Sequence, residues 1–178
     1  MNVILGVTGS VATTLTPRLV DSLMAQDCIV RVVATKSALH FFNPNKLNTS
    51  VYTDEDEWKD GKYHKESPIL HIELRKWADV MLIAPLTANT LAKLATGITD
   101  NLLTSILRAW DRSQPIVLAP AMNTFMWEHP ATDKHLSVLK HWYRATIVAP
   151  IDKTLACGDT GIGALANIDD IVRATIKR

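Results

Sequence analysis

Short apolar runs alternate along the chain with longer stretches whose apolar side chains recur at helical spacing. Val3-Ile4-Leu5-Gly6-Val7 is apolar throughout and stops at Thr8-Gly9-Ser10, a buried strand feeding a turn. Over residues 11–25, Leu15, Leu19, Val20 and Leu23 mark one helical face, and Pro17 places the first turn of that helix close to itself. Residues 29–34 form a second strand pattern, ended by Thr35-Lys36-Ser37, with a short helix predicted over 38–42. Residues 43–68 are polar, acidic and turn-rich, an excursion with one short strand near Val51. Next come a helix over 69–77 and a buried strand over 80–84, stopped by Pro85. Helices over 89–95 and 101–110, a strand over 116–119, a loop, a helix over 131–142 and a strand over 146–149 follow. A Gly-rich segment and a helix over 168–176 end the pattern, and neither a repeat nor a low-complexity tract interrupts it.

Runs that are apolar at every position, not at alternate ones, fit parallel strands covered on both faces. The fold class is therefore α/β: a doubly wound parallel sheet in a Rossmann/flavodoxin-like three-layer sandwich. Such sheets bind ligands beyond the carboxyl ends of their strands. Polar and special residues do collect there, at Thr8-Gly9-Ser10, Thr35-Lys36-Ser37, Thr87-Ala88-Asn89-Thr90 and Met122-Asn123.

Composition narrows the class. The 178 residues suit one domain spanning 1–178. With a net charge of +1 and no dominant basic face, nucleic-acid binding has no electrostatic support. The acidic cluster Asp54-Glu55-Asp56-Glu57 reads as a solvated loop. No apolar run is long enough for a bilayer, and MNVILGVTGS is too short and lacks the basic start of a leader, so a cytoplasmic protein off the membrane is expected. Two cysteines without CxxC or zinc spacing indicate no disulfide framework and no metal site.

Several residues invite chemistry, each against a plainer role. Gly9-Ser10 opens a helix as phosphate-binding turns do, without GxGxxG, and equally suits an ordinary cap. Thr87-Ala88-Asn89-Thr90 carries three hydrogen-bonding side chains that either hold a ligand edge or cap the next helix. His71 has a base's reference pKa yet sits near an apolar helix, where histidines are mostly structural. Arg75 and Lys76 are solvated or bind an anionic group. PAMNTFMW (residues 120–127) is a buried loop, or the wall of a flat ligand anchored by Asn123. Cys28 is packing. Cys157 lies in LACGDTGIGALA (residues 155–166), either a buried thiol beside a turn or a reactive one on a bendable segment.

Taken in order, GVTGSVA (6–12), TKSALHF (35–41), YTDEDEW (52–58), LHIELRKWAD (70–79), IAPLTANTLAK (83–93), DNLLTSILRAWD (100–111), APAMNTFMW (119–127) and LACGDTGIGALA (155–166) cover nearly the whole chain. This set resembles the homo-oligomeric flavin-containing cysteine decarboxylases, and within them the members of coenzyme A biosynthesis that act on 4'-phosphopantothenoyl-L-cysteine. The resemblance implies FMN, and a homotrimer with its active site near a subunit interface. It places cofactor contacts on Gly9, Ser10, Val11, Thr35, Ser37, Thr87, Ala88, Asn89, Thr90 and Ala121. It makes His71, Asn123 and Cys157 catalytic, assigns substrate binding to Asn123, Met126, Lys76 and Ala156, and makes residues 151–166 a mobile flap. Departures from the family's pattern are Thr87 for a usual serine, Lys76 for a usual arginine, and Thr154 where a basic residue is usual, with Lys153 beside it.

The implied chemistry gives the thiol a purpose. A carboxylate on a saturated carbon loses CO2 reluctantly; oxidation of the neighbouring CH2–SH to a thioaldehyde gives the electron pair somewhere to go. His71 serves as base, Asn123 holds the carboxyl or amide, and Cys157 returns a proton when the enethiol is re-reduced. A peptidyl-cysteine decarboxylase that releases its enethiol would not need Cys157, and a flavin prenyltransferase would need neither PAMNTFMW nor the flap. The alternative from another class is a catalytically silent relative serving as a protein phosphatase regulatory subunit, although the long acidic extensions usual there are absent from this sequence.

Overall fold

The computed structural model describes residues 1–58, 65, 67–154 and 160–177. Its main sheet contains β1 (Asn2–Val7), β2 (Ile29–Ala34), β3 (Ser50–Tyr52), β4 (Val80–Leu86), β5 (Ile116–Pro120) and β6 (Thr146–Ile147). All pairings are parallel, in the order β3-β2-β1-β4-β5-β6. The strand order reverses between β1 and β4, which puts the switch point of a doubly wound sheet at their carboxyl ends.

Alternation along the strands feeds two apolar layers. Val3, Leu5, Val7, Val32, Leu82 and Val117 meet α1 (Thr16–Met24) and α7 (Ile168–Ile176) through Leu19, Leu23 and Ile171. On the opposite face, Ile4, Val33, Met81, Ile83 and Leu118 pack under α2 (Leu70–Trp77), α3 (Ala88–Thr96), α4 (Leu102–Arg108) and α6 (Pro130–Tyr143). Every residue of β4 is buried, which explains its unbroken apolar run. Gly6 lies close under α4: a Cβ there would lie 2.6 Å from Leu103 Cδ1 and would make that side chain move. Truncating a fully buried side chain such as Ile83 to alanine would cost about 2–5 kcal/mol.

Some predicted elements differ in the structure. The helix expected over 11–25 is a 3-10 segment, Val11–Leu15, followed by α1 with Pro17 in its first turn, where a missing N–H costs nothing. The short helix after β2 is also a 3-10 turn, Lys36–His40, and the strand expected over 146–149 ends at Ile147. Within the loop expected after β5 lies one turn of helix, α5 (Thr124–Trp127), started by Asn123 Oδ1 accepting the Phe125 N–H at 2.9 Å. The Gly-rich end contains an antiparallel pair, β7 (Ile151–Thr154) and β8 (Thr160–Ala164), that no apolar alternation announces.

The acidic cluster is more than a solvated loop. Asp54 Oδ1 accepts the Leu102 N–H at 2.8 Å and so caps α4 from a distant part of the chain. Asp56 Oδ2 accepts the backbone N–H of Thr53 at 2.7 Å, and Glu57 turns inward. Among the described residues, no helix is long and apolar enough to cross a membrane.

Candidate functional site

Thr8 sits at the switch point, fully buried. Its hydroxyl donates to the Pro85 carbonyl at 2.7 Å and accepts the Thr87 N–H at 2.9 Å, so one side chain ties the ends of β1 and β4. Thr13 Oγ1 donates to the Thr8 carbonyl at 2.6 Å, which draws the 3-10 turn back against the strand. Ser10 starts that turn: its hydroxyl accepts the Ala12 N–H at 3.3 Å. On the other side, Thr87 caps α3 through the Thr90 N–H at 3.4 Å.

Gly9 lies against the end of β2. A Cβ on it would sit 2.6 Å from Ser37 Cβ, so only glycine lets these two loops approach this closely. Thr35 and Ser37 share a hydroxyl contact at 3.3 Å, and the Thr35 N–H donates to the Val7 carbonyl at 3.0 Å. The Thr8-Gly9-Ser10, Thr35-Ser37 and Thr87-Thr90 clusters thus meet around one point of the sheet.

Beside them opens a cavity of about 790 Å³. Ser10, Val11, Ala121 and Asn123 line it from the strand ends, and Lys153 and Gly163 line it from the hairpin. Its volume suits a cofactor-sized ligand. The hairpin is held by the loop after β5: the Met122 N–H donates to the Gly163 carbonyl at 2.9 Å. A Cβ on Gly163 would run into the Met122 carbonyl oxygen, so this glycine provides room for a backbone contact where the sequence suggested only freedom to bend. Cys157 and Ala156, in the connection between β7 and β8, lie outside the described residues. Cys28 packs in the core, and burial pushes its thiol pKa up, as suits an inert cysteine.

Other expected site residues do not line the cavity, the expected cofactor residues Gly9, Thr35, Ser37, Thr87, Ala88, Asn89 and Thr90 among them. Met126 is half exposed on α5. Lys76 makes an exposed pair with Glu73 at 3.5 Å, one turn along α2. His71, also on α2, directs Nδ1 to Glu57 Oε1 at 2.5 Å. The sequence marks Thr8 as one of the polar residues at a strand end but gives it no tie to β4, and it assigns no role to Glu57 or to the lining cations Arg18 and Arg173. Glu57 is 14 positions from His71, and no local periodicity joins them.

A hydroxyl-rich cluster at the switch point, with a large cavity beside it that Ser10 shares, defines a ligand-binding doubly wound α/β protein. The chain belongs to the Flavoprotein family, whose model matches residues 1–178. It is 48% identical over 171 residues to the phosphopantothenoylcysteine decarboxylase of Mus musculus, covering 96% of this chain and 83% of that one. Among solved structures, a PPC decarboxylase mutant complexed with pantothenoylaminoethenethiol superposes with a TM-score of 0.90 at 48% identity, over 97% of this chain and 94% of that one. The FMN binding protein AtHal3 gives a TM-score of 0.87, also at 48% identity, over 97% of this chain and 92% of that one.

Proposed function

We propose that this protein is an FMN-dependent phosphopantothenoylcysteine decarboxylase of coenzyme A biosynthesis, converting 4'-phosphopantothenoyl-L-cysteine to 4'-phosphopantetheine. One observation carries the reading: a single cavity joins Ser10, Val11, Ala121 and Asn123 to the hairpin whose connection contains Cys157. The likeness to an FMN binding protein and to a decarboxylase complexed with an enethiol supports it.

The residues present fit FMN. Gly9 lets the loop after β1 close onto Ser37 at the end of β2, and Ser10, Thr35, Ser37, Thr87 and Thr90 gather hydroxyls at that point of the sheet. Val11, Ala88, Asn89 and Ala121 complete the set that would hold the cofactor. When bound, FMN supplies a two-electron acceptor for the substrate's CH2–SH group and a hydride donor after CO2 has left. Asn123 orients the substrate carboxyl or amide, and its place at the start of α5 fixes its backbone. Lys153 offers a cation to the substrate's anionic groups from the hairpin side, with Met126 and Lys76 as further contacts. Ala156 and Cys157 close over the substrate from a flap at 151–166; Cys157 protonates the product carbon, and closure keeps water from the enethiol.

His71 takes the thiol proton. In one chain it lies off the cavity wall, which supports a homotrimer whose active site is completed across a subunit interface. The same reading makes the protein cytoplasmic, where coenzyme A precursors are handled.

The test is direct. Protein loaded with FMN and then dialysed free of unbound flavin should stay yellow and, given substrate, release one CO2 per molecule, read by mass spectrometry. The His71→Asn variant should keep the bound chromophore and lose turnover by about 10²–10⁴-fold. A colourless preparation that leaves the substrate intact would overturn the assignment and favour a regulatory relative.

A further inference from the structure

We propose that Glu57 is a positioning residue for His71: it holds the imidazole in the Nδ1–H tautomer and leaves the Nε2 lone pair as the proton acceptor. The inference rests on the decarboxylase reading for what His71 does, but the pairing itself stands on geometry.

Glu57 follows the 3-10 turn Asp54–Asp56, and that turn is fastened at both ends of its acidic run. Asp54 caps α4 at Leu102, and Asp56 closes a capping box on Thr53. Glu57 is thereby delivered to the first turn of α2, where its side chain is 12% exposed and Oε1 lies 2.5 Å from His71 Nδ1. A carboxylate accepts hydrogen bonds and does not donate them, so the proton on Nδ1 belongs to the histidine. Oε2 is buried and finds no partner among the described residues, so His71 is the group that repays the removal of this carboxylate from water.

The histidine keeps 26% of its side chain accessible, and with Nδ1 occupied its reactive edge is Nε2. In the proposed reaction the substrate's S–H bond breaks, and FMN, when bound, would supply the two-electron acceptor that the adjoining C–H requires. The proton passes to Nε2, C=S forms, and Glu57 faces the imidazolium that results. Fixing the tautomer spares the reaction a ring flip and a misplaced proton.

Long-range ¹⁵N–¹H spectra of the FMN-loaded protein, with His71 assigned by its loss in His71→Asn, read the tautomer directly. Neutral His71 should show protonated Nδ1 and bare Nε2. Glu57→Ala should mix the tautomers and lower kcat about 10- to 100-fold with KM nearly unchanged. Glu57→Gln keeps an acceptor oxygen and should recover part of that rate. A ring protonated on Nε2 in the unaltered protein would overturn the proposal, as would a folded Glu57→Ala variant with full kcat. Full activity in His71→Asn would instead remove the base from the decarboxylase reading and leave the tautomer measurement to decide the pairing.

Discussion

Thr87 donates its backbone N–H to the hydroxyl of Thr8 at 2.9 Å, across the line where the strand order reverses. The same hydroxyl donates to Pro85, so the mouth of the sheet is held by one side chain with no solvent exposure. Replacing Thr8 with valine keeps the shape and deletes both bonds. Urea unfolding should register a loss of about 1–3 kcal/mol. Retention of FMN, read by visible absorption after dialysis, should fall with it; unchanged retention would detach this tie from the cofactor.

Gly163 gives a second prediction. Alanine there directs a Cβ at the Met122 carbonyl, a backbone atom that cannot rotate away. Thermal unfolding should reveal a cost of about 1–3 kcal/mol from overpacking. Because the hairpin must shift off the loop that carries Asn123, KM for substrate should rise while bound FMN is retained. An unaltered KM would mean that the hairpin's seat on Met122 does not shape the substrate site.

Cys157→Ser tests the closing proton transfer. Without the thiol, substrate should lose CO2 once, and the enethiol should accumulate with the flavin bleached. Mass spectrometry and the visible spectrum record both. Ordinary yields of 4'-phosphopantetheine would take Cys157 out of the reaction.

Cys28 serves as the contrasting thiol. Burial raises its pKa, the nearby N-terminal charge lowers it by less, and Asp27 raises it further. The folded state therefore holds this proton more tightly than the unfolded state does. That contribution to stability is complete below the ordinary thiol range and is lost as pH rises through the elevated folded value. In Cys157→Ser, alkylation of Cys28 by iodoacetamide should stay slow at neutral pH and accelerate on unfolding. Rapid labelling of the folded protein would contradict the burial.

Much of this architecture was legible because its signals are local. Residues 168–176 carry apolar side chains at helical spacing between polar ones, and the observed α7 has those same bounds. The run over 80–84 is apolar at each position because β4 is covered on both faces. Ser10 and Asn123 were legible as polar breaks at strand ends, where this sheet collects its ligand groups. The hairpin β7–β8 was not, since glycines and threonines carry no two-residue apolar rhythm, and its seat on Met122 is a backbone contact. The Glu57–His71 pair was hidden for a related reason: a charge that turns inward has the same letter as one that faces water. Only packing of the acidic turn against α2 and α4 tells them apart.

The position of β1 between β2 and β4 has a consequence for synthesis on the ribosome. β1 is the first strand of this sheet to be translated, but one of its edges stays unpaired until residue 86 has left the exit tunnel. At about 5–20 residues per second, that leaves a strongly apolar strand half covered for several seconds. Nascent chains should therefore be held by chaperones early and released as β4 emerges, so that slowing translation between β2 and β4 lowers yield without touching the finished enzyme.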